Sequence, residues 1–265
     1  MQRIGLLGYG AIGKRVTEAS AAGRLPGIEL VAALVRRPRS ATNEPLDVSH
    51  DPDWFFRYRL DAVVEGAGHQ AVRDYAARIL ETGTDLYVTS VGAFTDTDLL
   101  DRVVDAARAG GCRVYLPSAG IGGLDMLASL AQGGLEEATI TVRKDPESWK
   151  GTAAESLVDL DALKAPYTVF DGSVREGARL YPQNVNISAA TALAGIGLDR
   201  TRVVIVADPT ITTHVCEIVA RGPLGSMRFV EDLVPSTENR KTSTLVGHAI
   251  VKTLRNRAAT LVIGG

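Results

Sequence analysis

Cysteine is nearly missing from this chain: Cys112 and Cys216 are the only two in 265 residues. Two thiols so far apart make neither a disulfide framework nor a CxxC metal site. A reducing, cytoplasmic setting is therefore the default expectation. His214 and Cys216 are too few ligands for zinc, and no metal is expected. An excess of one charge is also missing. Against 29 Lys and Arg stand 31 Asp and Glu, a net charge of −2. A nucleic-acid binder needs a basic excess or stripe, and none is present. Arg36, Arg37 and Arg39 form the one short basic cluster, too small for a duplex but suited to a single phosphate. Long apolar runs are lacking too. The longest, from Ile187 to Leu198, is broken by Ser188 and Thr191 and falls short of the roughly 18 apolar residues a span requires. The opening, Met1 to Gly13, superficially resembles a signal peptide. It is short and glycine-broken, and it ends at Lys14 without a cleavage site, so it reads as part of the fold. There is no internal repeat and no low-complexity stretch.

What remains is an average soluble composition, 45% hydrophobic and 23% charged, with 27 glycines that promise many tight turns. The length suggests roughly two domains. The first half alternates. Arg3 to Leu7 reads as a buried strand, Lys14 to Ala22 as a helix and Ile28 to Val35 as a strand. Ala62 to Glu65 is a strand and Gln70 to Glu81 a helix. Asp85 to Thr89 is a strand, Thr97 to Arg108 a helix and Cys112 to Leu116 a strand. This alternation predicts a doubly wound parallel α/β sheet of the Rossmann type. After Gly123 the texture changes. Leu124 to Gln132 and Val185 to Gly195 look helical, and Glu137 to Arg143 alternates as a half-buried strand does. Asp145 to Gly151 is loop-like. Arg202 to Val206, Thr212 to Ala220 and Ser226 to Phe229 follow as strands in quick succession. That pattern predicts a second α+β domain with a mixed or antiparallel sheet. Ser243 to Arg255 reads as an amphipathic helix. The expected division is 1–120 for a dinucleotide-binding domain and 121–238 for a substrate, catalytic and dimerisation domain. In the third segment, 239–265, the C-terminal helix returns to the first domain.

Gly8-Tyr9-Gly10-Ala11-Ile12-Gly13 is a GxGxxG turn between the first strand and the first helix. There its three glycines serve a tight turn, close backbone approach to a pyrophosphate and close helix packing. The helix N-terminus adds free N–H groups and a partial positive charge. The second strand ends without the Asp or Glu that would bind a ribose 2′-hydroxyl. Arg36 and Arg37 stand there instead, and an arginine can grip a 2′-phosphate. NADP is therefore expected to bind at least as well as NAD; the competing reading is that the two arginines only solvate a loop. Gly66-Ala67-Gly68-His69 and Ser90-Val91-Gly92-Ala93-Phe94 follow strands and should shape the nicotinamide end, with Gly66, Ala67 and Gly92 as contacts and His69 as a loop histidine.

A nicotinamide cofactor implies hydride transfer, and hydride transfer from an amine or alcohol carbon needs a group that manages a proton. Of four histidines, His50 lies in a polar loop and His248 in a helix. His214 opens a strand after a polar, threonine-rich segment. Spacing alone leaves it open between a strand histidine satisfied by the backbone and a proton-handling group. The pair Asn184 and Asn186 at a helix start could cap the helix or hold a carboxylate or the cofactor's carboxamide. Arg143, Lys144 and Lys150 are candidates to meet substrate carboxylates.

Several segments together resemble the L-aspartate dehydrogenase family. They are the glycine turn, Ser90 to Phe94, Pro117-Ser118-Ala119-Gly120-Ile121-Gly122-Gly123-Leu124-Asp125, Pro182-Gln183-Asn184-Val185-Asn186, and Asp208-Pro209 with His214. They run in order over most of the chain. The resemblance implies NAD- or NADP-linked oxidation of L-aspartate to iminoaspartate and on to oxaloacetate and ammonia, in some members feeding NAD biosynthesis. It implies a catalytic role for His214, cofactor contacts at Gly120 and Asn184, and a homodimer. The family often reads Ser-Gly-Ala-Ile-Gly-Gly, whereas here Ala119 and Gly120 are transposed. Two competitors are a related dehydrogenase of another small amino or oxo acid and a non-catalytic NADP-binding sensor.

Overall fold

The computed structural model describes residues 1–38, 45–182, 185–236 and 243–264. The chain divides into two compact units, Met1–Ala119 with Val246–Gly265, and Gly120–Leu245. No helix among the described residues is long and apolar enough to cross a membrane.

The first unit is built on apolar strands separated by amphipathic helices. In order it has β1 (Gln2–Leu7), α1 (Ala11–Ala21), β2 (Ile28–Leu34), β3 (Asp47–Ser49), α2 (Pro52–Phe55), β4 (Ala62–Glu65), α3 (His69–Glu81), β5 (Asp85–Val88), α4 (Thr97–Gly110) and β6 (Val114–Tyr115). The six strands form one parallel sheet in the order β3-β2-β1-β4-β5-β6. This is the doubly wound arrangement, and its strand order reverses between β1 and β4. All four residues of β4 are buried, as a central parallel strand covered on both faces requires. α3 buries Val72, Ala76, Ile79 and Leu80, and α4 buries Leu99, Val103, Ala106 and Ala107. Both sets lie on one helical stripe. α4 starts where the Asp96 carboxylate accepts from Leu99 N at 3.1 Å, and it ends at Gly111 with a left-handed φ of 65°.

In the second unit come α5 (Leu124–Gln132), β7 (Glu137–Lys144), β8 (Tyr167–Ser173), α6 (Val174–Leu180), α7 (Asn186–Ala194), β9 (Arg202–Ala207), β10 (His214–Gly222) and β11 (Gly225–Leu233). Their sheet order is β11-β10-β7-β9-β8. β7 and β9 run parallel and the other neighbours antiparallel, so the sheet is mixed. β7 alternates buried and open positions along its length. The last helix, α8 (Leu245–Ala258), belongs with the first unit from Val246 onward. Its Ile250 and Leu254 join Ile4, Leu6, Val16 and Val64 in one core, and Arg257 pairs with Asp85 at 2.6 Å.

Four elements have no counterpart in the reading of the sequence: β3, α2, β8 and α6. The strand expected over Cys112 to Leu116 shrinks to Val114–Tyr115, because only Leu86 and Tyr87 of β5 pair with it. Asp145 to Gly151 contains a 3-10 turn, Pro146–Trp149, started by the Asp145 carboxylate accepting from Ser148 N at 2.8 Å.

Candidate functional site

The glycine turn closes the first unit's sheet at its carboxyl edge. Gly8 has φ +97°, and a Cβ there would lie 2.9 Å from both the Ala67 Cβ and the Gly66 carbonyl oxygen. A Cβ on Gly13 would lie 2.9 Å from the Gly8 carbonyl oxygen, so the helix can begin this close to the strand only with glycine there. Gly10 differs: it is exposed, and a Cβ on it would meet nothing within 4 Å. It precedes α1, and no side chain caps the helix. Exposed Ala11, half-buried Ile12 and buried Gly13 form the first turn, whose N–H groups have no partner inside the helix. Open space beside uncapped N–H donors is what a pyrophosphate needs. Arg36 and Arg37 are exposed just beyond β2. Arg39 lies outside the described residues.

Two further loops leave the same edge of the sheet. Gly66, Ala67 and Gly68 connect β4 to α3, with Gly66 packed against Ile12. After β5, Ser90 leads into a buried 3-10 turn, Val91–Thr95, which includes Gly92. His69 is not a loop histidine: it is the first residue of α3. Glu65 ties the two loops together. It is fully buried, and its carboxylate accepts from Ala67 N, Gly68 N and the Ser90 hydroxyl at 2.7 to 2.8 Å.

In the second unit His214 opens β10 and is 4% exposed. Its Nε2 lies 3.5 Å from the Ser148 hydroxyl oxygen. Strand pairing sets Val215 opposite Arg143 and Lys144 opposite Ala207, and at these strand ends Lys144, Asp145, Ser148 and Asp208 are each 8% exposed or less. Lys144 Nζ stands 5.5 Å from the centre of the Trp149 ring. Asp208 accepts from Thr210 N and Oγ1 and pairs with Arg143 at 3.0 Å. Burial alone would push the Asp208 carboxyl up, but the Thr210 bonds and the Arg143 guanidinium outweigh it and hold it below the ordinary range. Of the three proposed cations, Lys144 and Arg143 stand in this cluster. Lys150 does not: it is spent on Glu147 and Asp161, at 2.9 and 2.8 Å. Cys216 is a core residue whose thiol burial pushes up to about 12, too high for a nucleophile near neutral pH.

Gly120 is half-buried where the second unit begins. It is not among the left-handed glycines, and no other residue type adopts that conformation among the described residues. The Ala119–Gly120 transposition therefore meets no backbone demand for glycine. The left-handed position is Gly123, with φ 72°, before α5. Gly122 and Gly123 lie against the Phe229 ring, and Gly122 N donates to Glu231 at 3.2 Å. Asn184 lies outside the described residues. Asn186 is the first residue of α7 rather than its cap.

A doubly wound sheet with a glycine turn ahead of a helix, joined to a mixed-sheet unit holding a buried histidine among carboxylates and cations, defines a nicotinamide-dependent oxidoreductase. Residues 8–117 match the NAD-binding domain of homoserine dehydrogenase, and residues 125–257 match the C-terminal domain of aspartate dehydrogenase. The chain is 40% identical to an L-aspartate dehydrogenase of Ruegeria pomeroyi over 98% of its own length and 94% of that protein's. It is 36% identical to one from Methanococcoides burtonii over the whole of both chains. The crystal structure of aspartate dehydrogenase from Thermotoga maritima superposes over the whole of both chains with a TM-score of 0.79 at 26% identity. The chain belongs to the L-aspartate dehydrogenase family.

Proposed function

We propose that this protein oxidises L-aspartate. The Cα–H hydride leaves for NADP or NAD, the amine loses a proton, and the product is iminoaspartate. Water then adds to the imine carbon and ammonia departs, leaving oxaloacetate. The cofactor's contribution is to accept the hydride; the chain supplies the rest. His214 carries the reading: it is a buried imidazole beside a hydroxyl, in a cluster that also holds the buried Lys144. It takes the amine proton and later activates the water, the general-base role that an imidazole suits. Lys144 and Arg143 meet the substrate carboxylates. Gly8, Gly10, Ala11, Ile12 and Gly13 cradle the pyrophosphate. Gly66, Ala67, Gly92, Gly120 and Asn184 contact the nicotinamide half. Arg36 and Arg37 meet a 2′-phosphate, which favours NADP or dual use. The active form is a cytoplasmic homodimer.

The test is the appearance of reduced nicotinamide absorbance with L-aspartate and either cofactor, against D-aspartate, L-glutamate and L-alanine. Production with L-aspartate alone is expected. His214→Ala should lose about 10²–10⁴ in turnover and keep its cofactor affinity, and wild-type turnover in that variant refutes the assignment. Replacing Arg36 and Arg37 by Ala should weaken NADP more than NAD. Cofactor binding without turnover on any amino acid would favour a sensor, and turnover on another amino acid a related dehydrogenase.

A further inference from the structure

Glu65, at the end of β4, is 0% exposed. Five hydrogen bonds converge on its carboxylate. Oε1 accepts from Ala67 N, Gly68 N and Ser90 Oγ, and Oε2 from Ser90 N at 2.9 Å and Thr89 N at 3.2 Å. Four of the five partners are backbone N–H groups, which can only donate, and the fifth is a hydroxyl; four N–H donors on two oxygens suit a carboxylate anion. Among the described residues no Lys, Arg or His pairs with it. A whole negative charge is thus buried on dipoles alone, which is costly. A neutral amide would offer one acceptor oxygen where these two loops use two, so the carboxylate both ties the loops and brings a charge to this edge. The charge has a place in the fold where it can act.

Its place suggests one. Ligands of a doubly wound sheet lie beyond the carboxyl ends of the strands, at the switch point. Here the switch falls between β1 and β4. The glycine turn after β1 and the arginines after β2 suit the pyrophosphate and the adenosine half. The other half then extends over β4 and β5, where Glu65 and its two loops stand. That half carries a ring that is cationic when oxidised and neutral when reduced.

Building on the reading of this edge as the cofactor site, we propose that Glu65 is a positioning residue with an electrostatic role. Its hydrogen bonds set the two loops around the nicotinamide, and its charge favours the oxidised cofactor over the reduced one. The donor dipoles reduce the field of the carboxylate but leave its net charge in place. A buried charge acts over several ångströms with little screening. The site would then retain the oxidised cofactor and release the reduced one after the hydride has moved.

The experiment measures Kd for oxidised and reduced cofactor, by calorimetry or fluorescence, in wild type, Glu65→Gln, Glu65→Asp and Ser90→Ala. Glu65→Gln keeps the volume but loses the charge and one acceptor oxygen: the lost tie weakens both forms, and the lost charge should in addition raise the ratio of oxidised to reduced Kd about three- to tenfold. Glu65→Asp keeps the charge on a shorter arm and should weaken both forms together. Ser90→Ala removes one donor and leaves the charge, so the ratio should hold or fall. Equal weakening of both forms by Glu65→Gln would mean a mechanical tie only and would overturn the proposal. If that variant fails to fold, a ratio that rises in Glu65→Asp or Ser90→Ala, where the charge is intact, overturns it equally. A wild type that binds neither form overturns the reading of the edge itself, and the proposal with it.

Discussion

Two glycines of the same turn should respond to alanine in opposite ways. At Gly8 the backbone is left-handed, and a Cβ would stand 2.9 Å from two neighbours, one of them a backbone oxygen that cannot rotate aside. The left-handed conformation costs an alanine about 1–2 kcal/mol, and relieving the overlap costs about 1–3 kcal/mol more. Gly8→Ala should therefore lose roughly 2–5 kcal/mol of stability, a fall in Tm of about 5–15 °C. At Gly10 the φ is −92° and the space is open. Gly10→Ala should hold its stability to within about 1 kcal/mol. Its methyl group would, however, occupy the space a pyrophosphate enters. An overlap of about 1–3 kcal/mol there weakens cofactor binding roughly ten- to hundredfold. Thermal unfolding without cofactor, followed by a cofactor titration, separates the two effects. If Gly10→Ala melts as early as Gly8→Ala, or binds cofactor like wild type, the space beside Gly10 is not a phosphate site.

Other groups give independent tests. Arg257→Ala removes the partner of Asp85, a pair in which both side chains are 16% exposed, together with bonds to Tyr87 and Gln2. A urea melt should show a loss of about 2–3 kcal/mol. Burial pushes the Glu231 carboxyl up from 4.5 to about 7. Because the folded value is the higher, its stabilising contribution is complete below pH 4.5 and lost as pH rises through about 7. Glu231→Gln should therefore flatten the fall of Tm across that window and raise Tm at pH 8. Trp149 is fully buried between Lys144 and Tyr181. Trp149→Ala should cost about 3–5 kcal/mol by denaturant unfolding and displace Lys144, so that KM for the amino acid rises.

The elements that were legible in the sequence are those whose pattern is local. α5 runs over Leu124–Gln132 as expected. β1, β4 and β5 read as apolar runs because both faces of a central parallel strand are covered. β8 did not read as a strand: it sits at the sheet edge, and only Val169 of its seven residues is buried. β3 has three residues and exists only through its pairing with β2. α6 carried a signal that could have been used, a capping box between Ser173 and Glu176. Within the site, the glycine turn, the paired arginines and His214 were visible as residue types in order. The tie through Glu65 was not, because Thr89 and Ser90 lie 24 and 25 positions away. Nor was the place of Ser148 beside a histidine 66 positions further on.

By itself the sequence determined the class of each unit, the glycine turn and the family, since strand and helix periodicity and ordered motifs are properties of neighbouring residues. Only the tertiary structure sets Lys144, Arg143 and Lys150 apart. Strand register buries Lys144, leaves Arg143 bound to Asp208 and turns Lys150 outward to Glu147 and Asp161. It alone also made Glu65 a buried carboxylate held by five hydrogen bonds. Burial and hydrogen bonding depend on which distant segments share a sheet edge, and pairing between strands sets that.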